Sequence, residues 1–205
     1  MTISDAWYSI ETWLQSRAPA TYASLPDPAS NEELEALERG IQMECPDALR
    51  ESLLRHNGSE ECTLPVFYRF SSIRQIEYEY KEMVKADERR AKELRERHRE
   101  RPNQFPALMP GEHPFWSPGW IPFCYNEGGD LLFLSQTEGE TLGRVGKFGV
   151  DSGASFDDNS AFMSLAHLLE ATVNALHAGR FEIWGEWHPY VDSKGFLDWR
   201  DAEEF

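Results

Sequence analysis

Fifteen residues, Trp120 to Leu134 (WIPFCYNEGGDLLFL), constrain the fold more than any other stretch of the chain. Two apolar runs flank Asn126, Glu127, Gly128, Gly129 and Asp130. The runs are too short for helices and too rich in aromatic and aliphatic side chains for loops. The paired glycines supply the positive φ that a tight reversal needs. The stretch predicts a β-hairpin with Glu127 and Asp130 at an acidic tip.

Around it the pattern is mixed. Ser4 is placed to cap a first helix carrying Trp7, Ile10, Trp13 and Leu14, which stops before Pro19. Ser30 and Glu33 form a capping-box pattern ahead of Leu34 and Leu37, and Pro46 suits the first turn of a third helix that ends at Asn57-Gly58. Leu64 to Phe70 alternates as a strand should, with Val66, Tyr68 and Phe70 on one face. Ser72 and Gln75 then open a long helix with an apolar stripe of Ile73, Ile76, Tyr80, Met83, Val84, Ala91 and Leu94. The stripe thins after Val84, so the distal half is expected to project into solvent as an arm, supported by Glu88 with Lys92 and Glu93 with Arg97.

Prolines at every fourth position from Pro102 to Pro118 forbid a regular helix or a central strand there. Past the hairpin, Arg144 to Val150 reads as a strand and DSGASFDDNS as a polar loop. Leu165, Leu168, Leu169, Val173 and Leu176 form an amphipathic helix ending at Gly179, followed by a short strand at Phe181 to Trp184. The tail, with Trp187, Tyr190, Phe196 and Trp199, is aromatic enough to pack on the sheet.

The 205 residues suffice for one domain with appendages, and no apolar run nears the roughly 20 residues that span a bilayer. The N-terminus lacks a basic leader, so cytoplasmic residence is expected. Three widely spaced cysteines, Cys45, Cys62 and Cys124, fit reduced thiols better than disulfides or a zinc site. Net charge is −16, unevenly spread: Lys81 to Arg101 holds nine basic and six acidic residues, leaving about −19 on the rest. Such a body repels nucleic acid and attracts basic proteins, although acidity can also serve solubility alone.

Motifs for chemistry are sparse. HExxH, paired CxxC, P-loop and GxSxG patterns are absent from the sequence, and the six histidines have no ligand-like spacing, so no cofactor or metal is expected. Asp151, Asp157 and Asp158 could surround a divalent cation, but the spacing is not that of an EF-hand and the composition is that of a solvated turn. Gly143 to Gly149 lacks phosphate-loop spacing and reads as a strand with a bulge or a close approach. Trp116 and Trp120 read as packing anchors rather than a ligand platform. An enzymatic reading would need Glu127, Asp130 or Asp157 to meet as acid and base in a pocket.

Several blocks, taken in order, resemble the SUKH superfamily, in the branch of fungal cell-wall assembly regulators and bacterial immunity proteins. They are EELEALERG, CPDALRESLLRHNGSE, WSPGWIPFCYNEGGDLLFL, GRVGKFG and SLAHLLEATVNALHAG, spanning roughly residues 30 to 180. The resemblance implies an α+β domain with a mainly antiparallel sheet and flanking helices, without catalytic residues, that acts by binding proteins. It divides the chain into an N-terminal helix (1–29), a SUKH-like domain (30–184, including the charged helix and proline connection, 72–119) and an aromatic tail (185–205). Trp120, Pro122, Gly128, Gly129 and Asp130 are then structural motif residues. Glu127, Asp130, Asp157 and Asp158 are the candidate partner contacts. For bacterial members the implied role is to neutralise a toxin domain, often a nuclease, and an acidic body suits a basic target without contacting nucleic acid or membrane. The alternative is a regulatory scaffold for cell-wall or signalling enzymes.

Overall fold

Capping chemistry locates the helices in the computed structural model, which describes residues 1–61, 63–109, 111–156 and 162–202. Helix α1 (Ile3–Arg17) is capped by Thr2, whose Oγ1 accepts the Asp5 N–H at 3.1 Å. Ser4, the expected cap, lies inside the helix and donates instead to Glu51 of a later helix, because the apolar face already begins at buried Ile3. A short helix α2 (Pro19–Ala23) follows with Pro19 in its first turn. Helix α3 (Asn31–Ile41) has the expected capping box between Ser30 and Glu33, and α4 (Asp47–Leu53) starts after Pro46. Ser72 caps α5 (Ile73–Glu100) through the Gln75 N–H, and α6 (Leu165–Ala178) ends at Gly179 in the left-handed region.

The expected strand from Leu64 to Phe70 is reduced to β1 (Arg69–Phe70). Val66 and Phe67 both take positive φ, at 63° and 64°, and turn the chain out of the extended conformation despite its alternating pattern. The hairpin forms as predicted, with β2 (Trp120–Tyr125) antiparallel to β3 (Leu131–Ser135). Its register slips between Pro122 and Cys124, leaving Phe123 as the extra residue of a bulge beside a proline that has no N–H to give the ladder. Strands β4 (Val145–Gly149) and β5 (Gly153–Ser155) complete an antiparallel sheet of order β1-β2-β3-β4-β5 among the described residues. The β5 segment lies within the stretch read as a polar loop, its small residues pairing with Lys147, Phe148 and Gly149.

Both faces of this sheet are covered. On one, Ile121, Phe123, Leu132, Leu134 and Val145 share a core with Trp7, Ile10 and Leu14 of α1, Leu34 and Leu37 of α3, and Leu168, Leu169 and Leu176 of α6. On the other, Leu131, Phe133 and Phe148 pack with Trp116, and Trp120 stacks on Phe133 at a centroid distance of 4.4 Å. The continuous apolar run LLFL is thus a strand buried on both sides.

The distal half of α5 is not a free arm. The proline connection returns along it, as three contacts show: His98 Nδ1 lies 2.8 Å from the Phe105 carbonyl, Asp87 accepts from residues 113–116, and Tyr80 donates to the Pro118 carbonyl at 2.8 Å. Ala91 in this half is buried. Among the described residues the ion pairs along the helix are Glu77–Lys81, Glu82–Lys85 and Arg90–Glu93, not Glu88–Lys92 and Glu93–Arg97.

Phe181 to Trp184 makes only isolated bridges, Phe181 with Trp187 and Ile183 with Gly185, rather than a strand. The tail folds as a second antiparallel hairpin, β6 (Trp187–Val191) with β7 (Leu197–Asp201). Its polar anchors are helical: the Leu197 N–H donates to Thr21 Oγ1 at 2.7 Å, and the Gly195 carbonyl accepts from Ala20. Trp199 is fully buried, in the same core as α1 and the sheet.

Candidate functional site

The hairpin turn separates its two acids. The Asp130 N–H donates to Asn126 Oδ1 at 2.9 Å, and the Asn126 N–H donates to the Asp130 carbonyl at 3.1 Å. Gly129 takes the φ of 83° that closes this reversal, while Gly128 does not need one. Asp130 Oδ1 then accepts the Val150 N–H at 3.3 Å, tying the tip across β3 to the end of β4. Glu127 reaches the opposite way, across β2, and pairs with Arg69 of β1 at 3.1 Å. These carboxylates therefore serve different neighbours and do not meet as an acid and base.

Glu127 borders a cleft of about 560 Å³ that the turn shares with two other parts of the chain. Glu61, Phe67 and Arg69 supply one wall, Asn126, Glu127 and Gly128 a second, and Asp192, Phe196, Leu197 and Asp198 of the tail hairpin the third. Four acidic residues and one arginine thus line the cleft, and Glu127 is the acid paired with that arginine. Asp192 is partly committed: its Oδ1 accepts the N–H groups of Phe196 and Lys194, both at 2.8 Å. These bonds, that from Phe196 foremost, hold its carboxyl below the usual range. Phe67 is 37% exposed and makes an edge contact with Trp187 at 5.2 Å. No alternation or capping signal in the sequence announces this wall, because it depends on how the tail hairpin folds back.

The other predicted residues fall elsewhere. Asp157 and Asp158 lie outside the described residues. Trp120 and Pro122 belong to the sheet, one stacked on Phe133 and the other at the bulge. Gly146 supports the same stack, since a Cβ there would strike the Phe133 ring. Among the described residues no group of three or more His, Cys, Asp or Glu could hold a metal ion.

Two buried polar clusters went unread in the sequence. Asp87, 5% exposed at its side chain, takes His113 Nδ1 at 2.7 Å and the N–H groups of Phe115 and Trp116 at 2.8 and 3.1 Å. It sits between Val84 and Ala91 at helical spacing, so an acid on an apolar stripe was the available signal. Glu11 likewise lies beside Ile10 on the buried face of α1 and holds Arg55 and His56, while the other ring nitrogen of His56 meets the Pro26 carbonyl. Burial pushes the Glu11 carboxyl up, but the hydrogen bonds from Arg55 and His56 outweigh it and hold the group below its ordinary range. Both clusters tie elements together inside the fold.

Helices packed on a five-stranded antiparallel sheet, and a cleft built by three separate segments, make this an α+β protein among the described residues. The chain belongs to the SMI1 / KNR4 family (SUKH-1), which it matches over residues 28–164, more than half its length. Among curated proteins no match is found. Helix α6 and the tail hairpin lie beyond the matched residues, so Asp192 and Asp198 bring into the cleft a wall that the family match does not include. Family members are generally non-enzymatic binding proteins, and membership suggests a protein-binding role connected with immunity or with cell walls. Among the described residues no helix is long and apolar enough to cross a membrane.

Proposed function

We propose that this protein is a non-enzymatic, cytoplasmic immunity protein that neutralises a toxin domain by binding it through acidic surface. A basic nuclease domain is the target class that fits the charge. The observation that carries the reading is the net charge of −16, which reaches about −19 outside residues 81–101. A nuclease is basic where it holds phosphate, so an acidic protein is steered to that surface and competes there with nucleic acid. The family match supports the protein-binding half of the reading. Glu127 and Asp130 remain candidate contacts. Asp157 and Asp158 are proposed with them on sequence grounds alone.

The test is co-elution in gel filtration with the toxin domain encoded beside the gene, together with loss of toxic activity. Failure of both would sink the proposal. The second reading, a regulatory scaffold for cell-wall or signalling enzymes, is favoured instead if the protein recovers such enzymes from cells with no neighbouring toxin gene. The mixed-charge helix α5, whose outer face stays exposed, is the element that would dock them.

A further inference from the structure

The cleft between the hairpin turn and the tail is lined by the apolar residues Phe67, Phe196 and Leu197 together with the acids Glu61, Glu127, Asp192 and Asp198. Among the described residues that line the cleft Arg69 is the one base, so the lining carries a net −3; Arg69 is already paired with Glu127, and Lys194 beside the lining acts on Asp192. The acids come from three segments of the chain; Asp192 and Asp198 each spend one oxygen on backbone N–H groups and keep their negative charge. A cation entering here also meets an aromatic ring, because Phe67 is partly exposed at the wall and its orientation is set by the Trp187 edge contact.

We propose that this cleft is the docking site for an arginine side chain of the protein partner. The inference rests on the reading of the protein as a binder of basic proteins, and names where and through which residue type it binds. Arginine fits better than lysine for two reasons. Its planar guanidinium presents donors in a fork that several carboxylates can share, and it is weakly enough hydrated to stack on an aromatic face while its stem lies against apolar side chains. A lysine ammonium would gain the charge attraction and lose the stacking. The wall supplied by Asp192 and Asp198 lies outside the family-matched residues, which makes it the part of the cleft through which this chain distinguishes its own partner.

The experiment is an NMR titration of the full chain with the peptide acetyl-Gly-Arg-Arg-Gly-amide, alongside the lysine and glutamate versions. Saturable shifts at Arg69, Asn126–Gly128 and Leu197–Asp198 are expected, with the arginine peptide binding several-fold tighter than the lysine one. E127Q/D198N, which keeps both side-chain shapes, weakens binding by about tenfold or more, because it removes two of the four negative charges of the lining. E138Q/E140Q, which removes two exposed acids of the β3–β4 loop, changes it by less than about twofold. Equal losses in the two double variants, or arginine shifts scattered over the surface, would overturn the proposal. So would equal binding of arginine and lysine. A protein that captures its toxin undiminished as E127Q/D198N would refute the cleft while leaving the immunity reading intact. A wild-type chain that binds the peptide in the cleft but no toxin would do the reverse.

Discussion

Asp87 accepts the Trp116 N–H at 3.1 Å across 29 positions of sequence, and through this bond the middle of α5 holds the end of the proline connection against the sheet. The same carboxylate takes the Phe115 N–H and His113, so one side chain closes a segment whose prolines deny it a ladder of its own. Trp116, delivered by this clip, is fully buried and touches Trp120, Phe133 and Phe148.

Replacing Asp87 should therefore unfasten the outer face of the sheet. D87A leaves one buried and one part-buried backbone donor without their acceptor and is expected to cost about 3 kcal/mol, read from urea unfolding. D87N keeps one acceptor and should cost less. Equal stability of D87A and wild type would mean that the clip contributes nothing.

Gly146 is required by the ring beneath it. A methyl group at this position would strike Phe133, and Phe133 cannot yield because Trp120 stacks on its face and Phe156 meets it edge-on at 5.2 Å. G146A is expected to destabilise by about 1–3 kcal/mol or more. Adding F133L should recover part of the loss, and thermal unfolding of the single and double variants checks this.

Gln42 caps α3 in the left-handed conformation, with φ at 55°, and is exposed. A glycine adopts that conformation without steric cost, which outweighs the extra freedom it gives the unfolded chain. Q42G is expected to stabilise by about 0.5–1 kcal/mol, a rise of roughly 1–4 °C in Tm. A lower Tm would contradict the assignment.

Acid should weaken the fold through Glu11 and Glu38. Both carboxyls sit below their ordinary value of 4.5 in the folded chain. Glu11 is held by Arg55 and His56 against the opposing effect of burial. Glu38 is held first by the Cys45 N–H, with Arg50 adding to it. The unfolded chain binds these protons more readily, so their stabilisation is complete above pH 4.5 and is lost as pH falls through the lower folded values. Urea midpoints between pH 6 and 3 should show E11Q starting less stable and losing less on acidification than wild type. Parallel pH profiles would contradict this.

Local signals in the sequence reached most of the fold. The capping box at Ser30, the stop at Gly179 and the β2–β3 hairpin are each specified within a few residues, where steric and hydrogen-bonding rules act directly. The errors share a cause. Leu64 to Phe70 alternates like a strand, yet Val66 and Phe67 take positive φ and turn the chain, and Phe67 there meets Trp187 of the distant tail. The stripe of α5 thins after Val84 because Asp87 occupies an apolar position, and what covers it comes from residues 113–116. Of the cleft, only Glu127 was read beforehand as a contact, with Asn126 and Gly128 read as turn residues, since the remaining walls meet through chain reversal and leave no periodic trace.

The central claim is that an acidic surface blocks a basic toxin domain. The most direct measurement is a titration of that domain's activity with this protein, repeated at rising salt. Inhibition complete at one equivalent, with an association rate that falls steeply as salt rises, is the predicted result. Undiminished toxin activity at a large excess of the protein in low salt would contradict it.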